Sequence, residues 1–247
     1  MTSKVSKAAE IARTLRLALK RGGSPEHAKG VQWFFKKEVK SHGWYTGDLR
    51  RFARQTSREI TASGGIELLV RVADEPFDGE NLEEKNFAVL LLDKSVAQFG
   101  DKELKLFESW LSRATSWADH DALVHYLIGP LMVAEPKRRA RVLVWARSKK
   151  RWHRRAAAVS LIQGTRKHLF FAEIQRVTEM LRGDEDDMVQ KGLGWLLRET
   201  AKADPRKTVP YLIQIRDRVP RFVLRTACET LSAEEKKRVL SMKEVSR

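Results

Sequence analysis

The sequence predicts an all-α protein, a solenoid of stacked helix–turn–helix units, on three observations. Apolar residues recur at helical spacing nearly throughout, as at Ile11, Leu15, Leu17 and Leu19, or at Val142, Leu143 and Trp145. Sustained period-two alternation, the mark of a half-buried strand, is absent. The third observation is a repeat. A charged or polar residue followed by small and apolar ones occurs at Arg51-Phe52-Ala53, Asn86-Phe87-Ala88, Asp121-Ala122-Leu123, Arg155-Ala156-Ala157, Lys191-Gly192-Leu193 and Arg225-Thr226-Ala227, with first residues 35, 35, 34, 36 and 34 apart. That period is one helix pair of a solenoid, a unit that buries its apolar face only by stacking on its neighbours. The six leading residues then form a row along one inner face. Asp121 is its one acid.

In chain order, the predicted helices are 4–20, 25–41, 47–62, 65–74, 80–98, 102–113, 117–133, 137–148, 151–163, 169–182, 186–203, 206–217, 221–231 and 233–242, making a single repeat domain over 1–247. Pro25, Pro136 and Pro205 stand where helices begin, Pro205 directly after the candidate N-cap Asp204. Gly100 and Gly183 close apolar segments. The small residues of the repeat let neighbouring helices approach closely.

Composition narrows the class of partner. Among 247 residues, 48 Lys or Arg stand against 32 Asp or Glu, a formal net charge of +16. With 42% hydrophobic residues there is material for a core, so disorder of the low-hydrophobicity kind is excluded. The charge points to a polyanionic partner, whether nucleic acid, anionic lipid or acidic protein. The longest apolar run, Phe87 to Leu92, is six residues, far short of the roughly 20 needed to span a bilayer. Lys4, Lys7, Arg13, Arg16 and Lys20 interrupt any signal-peptide core, so a cytoplasmic protein is expected, with no membrane partner. The single cysteine, Cys228, excludes an intramolecular disulfide and reads as a buried apolar residue.

Charge is also unevenly placed. Between Pro136 and Ala172 there is no acid, while Lys137, Arg138, Arg139, Arg141, Arg147, Lys149, Lys150, Arg151, Arg154, Arg155, Arg166 and Lys167 supply twelve cations. A solvated helix would interleave signs, so the segment is expected to prefer an external anion. Asp184, Glu185, Asp186 and Asp187 sit where a helix N-terminus favours carboxylates and read as capping. No histidine has metal-ligand spacing, and neither metal nor cofactor is expected. Trp33, Trp44, Trp110 and Trp145 read as core, and Asp119 as a cap or surface charge.

Three stretches carry a resemblance: Ser116-Trp117-Ala118-Asp119-His120-Asp121, Arg151-Trp152-His153-Arg154-Arg155-Ala156-Ala157, and Val189-Gln190-Lys191-Gly192-Leu193-Gly194-Trp195-Leu196-Leu197-Arg198-Glu199. In sequence, order and separation they resemble the AlkD-like DNA alkylation-repair glycosylases, over roughly Leu106 to Leu231. The resemblance implies a curved stack of HEAT-like helix pairs whose concave basic face holds duplex DNA. It also implies removal of positively charged N-alkylated purines. Position by position, it matches Asp121 to the catalytic carboxylate, Trp117 and Trp195 to an aromatic pair, and Arg155 to the backbone-gripping arginine. The aromatic and the acid that commonly precede the carboxylate read here as Ser116 and Ala118. The N-terminal aromatic contact falls on Trp33 or Phe34.

The chemistry also stands on its own. Alkylation at N3 or N7 makes the purine a cationic leaving group, so the enzyme must chiefly stabilise an oxocarbenium-like sugar. Asp121 could do this electrostatically and orient the attacking water. Trp117, four residues earlier, shares its helical face, and Trp195 lies four after Lys191. Two indole faces would add cation–π attraction. Arg155 would hold a phosphate, with Arg154, Arg151, Lys150, Lys191, Arg198 and Arg225 as further DNA contacts. The expected protein is therefore a monomeric DNA glycosylase acting in base excision repair on double-stranded DNA containing alkylated bases. Two alternatives remain at this stage: a non-catalytic DNA binder of the same architecture, and a HEAT-like protein scaffold.

Overall fold

Prolines and short polar side chains set where the helices start. The computed structural model describes residues 2–36 and 39–241. Positions 37, 38 and 242 of the predicted helices lie outside the described residues. In order come α1 (Thr2–Gly22), α2 (Pro25–Phe34), α3 (Thr46–Phe77), α4 (Leu82–Leu92), a 3₁₀ turn (Asp93–Gln98), α5 (Asp101–Leu111) and α6 (Trp117–Leu123). A π turn (Val124–Ile128), α7 (Gly129–Ala134), a 3₁₀ turn (Pro136–Arg139), α8 (Ala140–Trp145), α9 (Arg151–Val159), α10 (Ile162–Thr165) and α11 (Phe171–Leu181) follow. The chain ends in α12 (Asp187–Ala203), α13 (Pro205–Ile215), α14 (Arg221–Ala227) and α15 (Ala233–Leu240). Among the described residues no strand forms, and the all-α prediction holds. No described helix is long and apolar enough to cross a membrane.

Ser24 caps α2 by accepting from the His27 amide, with Pro25 following it, and Asp204 caps α13 by accepting from Lys207, with Pro205 in the first turn. Several boundaries differ from expectation. α2 stops at Phe34 rather than continuing to 41, and Lys36 takes φ 50°, a left-handed conformation that leaves the helical path. The predicted helices 47–62 and 65–74 run into one another as α3, which kinks at Gly65 (φ 71°), a conformation that a side chain would disfavour. The predicted helix 117–133 is interrupted by the π turn, which begins at Val124, three residues after Asp121.

The chain forms two compact units, Met1–Leu131 and Met132–Arg247. In the first, α3 packs along α4, α4 along α6, and α1 along α3. Its core includes Phe77 stacked on Trp110 at 4.3 Å, with the Trp110 Nε1–H donated to Asp74 Oδ1 at 2.7 Å. In the second, α12 lies between α9 and α14. Two glycines permit this. A Cβ at Gly192 would stand 3.1 Å from the Arg155 side chain on α9, and one at Gly194 would stand 3.2 Å from Thr226 on α14. Within each unit, then, helices carrying successive residues of the predicted row are neighbours. Trp110, Trp145 and Cys228 are buried as expected, but Trp33 is 83% exposed and is not core.

Three consecutive charged residues are buried at the start of α4. Glu83 accepts from Ser41 Oγ and from the backbone N–H groups of His42, Gly43 and Trp44. Glu84 accepts from His42 Nε2 at 3.0 Å and from Arg16 at 3.4 Å. Burial alone would raise the pKa of Glu84, but His42 and Arg16 hold it below its ordinary value. Lys85 Nζ donates to the carbonyls of Phe77 and Arg113, both at 2.8 Å, and burial pushes its pKa down, opposed by the charge of Asp119. Replacing Glu83 by Ala should strand several buried donors at once. We expect a loss of about 3 kcal/mol or more in denaturant unfolding. A loss within about 0.5 kcal/mol, typical of a neutral surface change, would show that the loop 41–44 is held by something else.

Candidate active site and nucleic-acid interface

The start of α6 is fixed by a reciprocal cap. Ser116 Oγ accepts from the Asp119 amide, and the Asp119 carboxylate accepts from the backbone N–H groups of Thr115 and Ser116 at 2.8 and 2.7 Å. Asp119 is fully buried, so of the two roles read from sequence it has the capping one. With the cap at Ser116, Trp117 is the first helical residue, and Asp121 stands one turn later on the same face. The Trp117 ring is 37% exposed, stacks on Phe35 at 5.2 Å and meets Phe34 edge-on at 6.3 Å.

Asp121 is largely but not wholly covered, its side chain 16% exposed, and its Oδ1 accepts from His120 Nδ1 at 2.7 Å. A carboxylate oxygen can only accept, so this ring nitrogen carries the proton. His120 itself is completely buried. The imidazole therefore fixes the carboxylate's orientation from the protein side. In the sequence, His120 and His125 flank Asp121 but are five apart, so they point to different helix faces and lack metal-ligand spacing. The only signal for His120 was its adjacency to an acid.

In the second unit four of the predicted cations already have carboxylate partners. Arg154 grips both oxygens of Asp184, Nε at 2.5 Å and the NH2 nitrogen at 3.3 Å, and donates to the carbonyls of Ser148 and Lys149. Arg151 Nε meets Asp186 at 2.8 Å, Lys191 Nζ meets Asp187 at 2.6 Å, and Arg198 bonds Glu199 and Glu229. Arg151 and Arg154, in the acid-free segment expected to prefer an external anion, thus have carboxylate partners within the chain. Their acids lie beyond the segment, about one repeat downstream. Asp186 does cap α12, accepting from Met188 and Val189 as expected, but it also serves Arg151. Partial burial acts to raise its pKa, and the hydrogen bond and charge of Arg151 hold it below the ordinary carboxylate value.

Arg155 is buried, and its guanidinium donates to the Met188 carbonyl at the start of α12. Trp195 is half-buried on α12, one turn beyond Lys191, while Lys150 and Arg225 are exposed. The structure thus brings Trp117, His120 and Asp121 together on α6 in the first unit. It gathers Arg151, Arg154, Arg155 and Lys191 on α9 and α12 in the second. Among the described residues, no group of three or more His, Cys, Asp or Glu could hold a metal ion.

Residues 15–231 match the model of a family described as DNA alkylation repair enzyme. A solved structure from Enterococcus faecalis, described as a "predicted DNA alkylation repair enzyme", has a fold similar to that of this chain, with a TM-score of 0.77 and 17% identity. The match covers 85% of this chain and 97% of that one. No curated protein matches the sequence.

The cap predicts a local effect. Asp119→Ala should cost about 1–2 kcal/mol and speed amide exchange across 115–121, leaving α12 unaffected. Unchanged exchange at 115–121 would mean that packing alone holds the start of α6.

Proposed function

Because the chain belongs to the DNA alkylation repair enzyme family, we propose that its part in alkylation repair is that of a DNA glycosylase. In this reading it excises cationic N3- or N7-alkylated purines from duplex DNA, working as a cytoplasmic, nucleoid-associated monomer. The observation that carries the reading is the arrangement on α6. Asp121 is oriented by a buried imidazole, partly open to solvent, and one turn from an exposed indole.

The reaction needs little acid catalysis. The C1′–N bond breaks with its electron pair going to the purine, which leaves neutral, and positive charge develops on the sugar. A carboxylate about 4 Å away in a medium of effective dielectric about 20 contributes about 4 kcal/mol to stabilising that charge. That is enough to matter on the scale of a catalytic electrostatic contact. Water then attacks C1′ and passes its proton to Asp121, giving an abasic site and the free alkylpurine. His120 acts through Asp121, fixing which oxygen faces outward. The exposed face of Trp117 suits the cationic sugar and base.

Phosphates would be held by Arg155, Arg154, Arg151, Lys150, Lys191, Arg198 and Arg225. Several must then exchange a carboxylate for a phosphate. Their pairing keeps them extended and oriented before DNA arrives, and the exchange makes binding depend on both salt and the competing acids.

Two measurements test this reading. Asp121→Asn keeps shape and removes charge, so alkylpurine release, corrected for spontaneous depurination, should fall by about 100-fold or more. Affinity for undamaged duplex should hold or rise. Wild-type protein releasing no base above background, or an Asn variant releasing it equally well, would leave a DNA-binding protein without this chemistry. Asp184→Asn should free Arg154 and raise duplex affinity, and Arg154→Ala should lower the slope of log affinity against log salt by about one. If neither variant moves that slope, the phosphates lie elsewhere.

A further inference from the structure

The first unit contains a cavity of about 280 Å³ that the excision chemistry does not use, walled by His27, Phe35, Trp44, Asn86, Ala122 and Tyr126 among others. Its walls are fixed. Trp44 donates its indole N–H to the Leu19 carbonyl at 2.7 Å and stacks on Phe52, and the loop carrying it is bonded to Glu83. His27 stacks on Tyr45 at 4.1 Å. Asn86 Oδ1 is fully buried yet has no hydrogen-bond partner. Leaving such a buried acceptor unpaired is unfavourable, so the site calls for a donor. Asn86 is also the member of the polar row one repeat before Asp121, Ala122 follows Asp121 directly, and Tyr126 lies five residues after it.

A second, smaller cavity of about 100 Å³ shares Arg50, Leu90 and Tyr126 with the first. Arg50, Arg54 and Lys94 bring three cations to it against the carboxylate of Asp93, which pairs with Lys94. Arg50 bonds the Tyr126 hydroxyl at 2.8 Å and so stands between the two spaces. An aromatic-walled cavity with an amide, opening beside a cationic pocket of phosphate size, has the chemistry of one nucleotide.

We propose that these joined cavities bind a single purine nucleotide, its base edge paired with the Asn86 amide and its phosphate held by Arg50 and Arg54. An amide offers a donor beside an acceptor, the complement of adenine's amino group and ring nitrogen. The aromatic walls supply stacking, as in pockets that take one base out of a duplex. The nucleotide could be free in solution or rotated out of a DNA strand. Only the second source rests on the DNA reading above.

Adenosine 5′-monophosphate, adenosine and a duplex carrying one 2-aminopurine are the probes, each titrated against the full chain. The monophosphate should bind at least tenfold tighter than adenosine. Asn86→Leu should weaken both by about tenfold or more, and Arg54→Gln should weaken the monophosphate alone, with thermal melts confirming that both variants fold. In the strand arm, 2-aminopurine should brighten as it unstacks and stay dim with Asn86→Leu. Monophosphate binding without brightening assigns the site to a free nucleotide, and brightening assigns it to the strand. Wild-type protein giving neither signal, or Asn86→Leu leaving both unchanged, overturns the proposal. The monophosphate arm needs no excision, so a chain that binds it but releases no alkylpurine loses only the glycosylase reading.

Discussion

The first unit hangs on the three charges buried at the start of α4. Burying Glu83, Glu84 and Lys85 together would be strongly unfavourable if any were left unpaired. Instead, each is used as a clasp. Glu83 gathers the backbone of 41–44, Glu84 reaches Arg16 on α1 and His42, and Lys85 joins the carbonyls of Phe77 and Arg113. The two glutamates also sit in the first turn, where the helix dipole favours them. Lys85 is disfavoured there, and burial, with the nearby charge of Arg113, lowers its pKa against the opposing charge of Asp119. The next residue is Asn86, so the same clasp that closes α1, α3 and α4 sets the amide of the proposed nucleotide site.

The second unit solves a different problem. Its excess of cations would repel if all were bare, and the acids of the 184–187 turn relieve this by reaching α9 from the start of α12. One turn of chain thus caps a helix, ties it to its neighbour and orders two arginines. Ordering matters because a free arginine loses about 2 kcal/mol of rotamer entropy when fixed. Part of that cost is met during folding. The glycines at 192 and 194 make the arrangement possible by letting α9 and α14 approach α12 on both sides.

What sequence reveals here follows the range of the interaction. Caps, prolines and helical spacing are local, and α2, α13 and the Trp117–Asp121 face were legible from them. Within each unit, the helices that carry successive members of the 35-residue row are neighbours. Pairings between repeats were not legible. Arg151 and Arg154 find their acids 35 and 30 residues away, beyond any helical rule. Trp33 was misread because exposure of an aromatic cannot be told from spacing when the helix ends early, as α2 does at Phe34. The Asn86 cavity depends on an absence of side-chain volume, which no local pattern encodes.

Of the two departures before Asp121, the one at Ser116 has a structural account. Ser116 stands where the resembling family commonly has an aromatic, and in this chain it is the N-cap whose hydroxyl and backbone engage Asp119. α6 runs only seven residues before the π turn. In so short a helix the cap decides the register, since moving the start by one residue rotates every later side chain by about 100°. Trp117 and Asp121 would then turn together away from their present surroundings, Trp117 from the Phe35 ring and His120 from the buried position in which it meets Asp121. Selection for a strong cap at Ser116 is therefore also selection for the direction of the carboxylate. The serine contributes to the proposed chemistry through geometry alone.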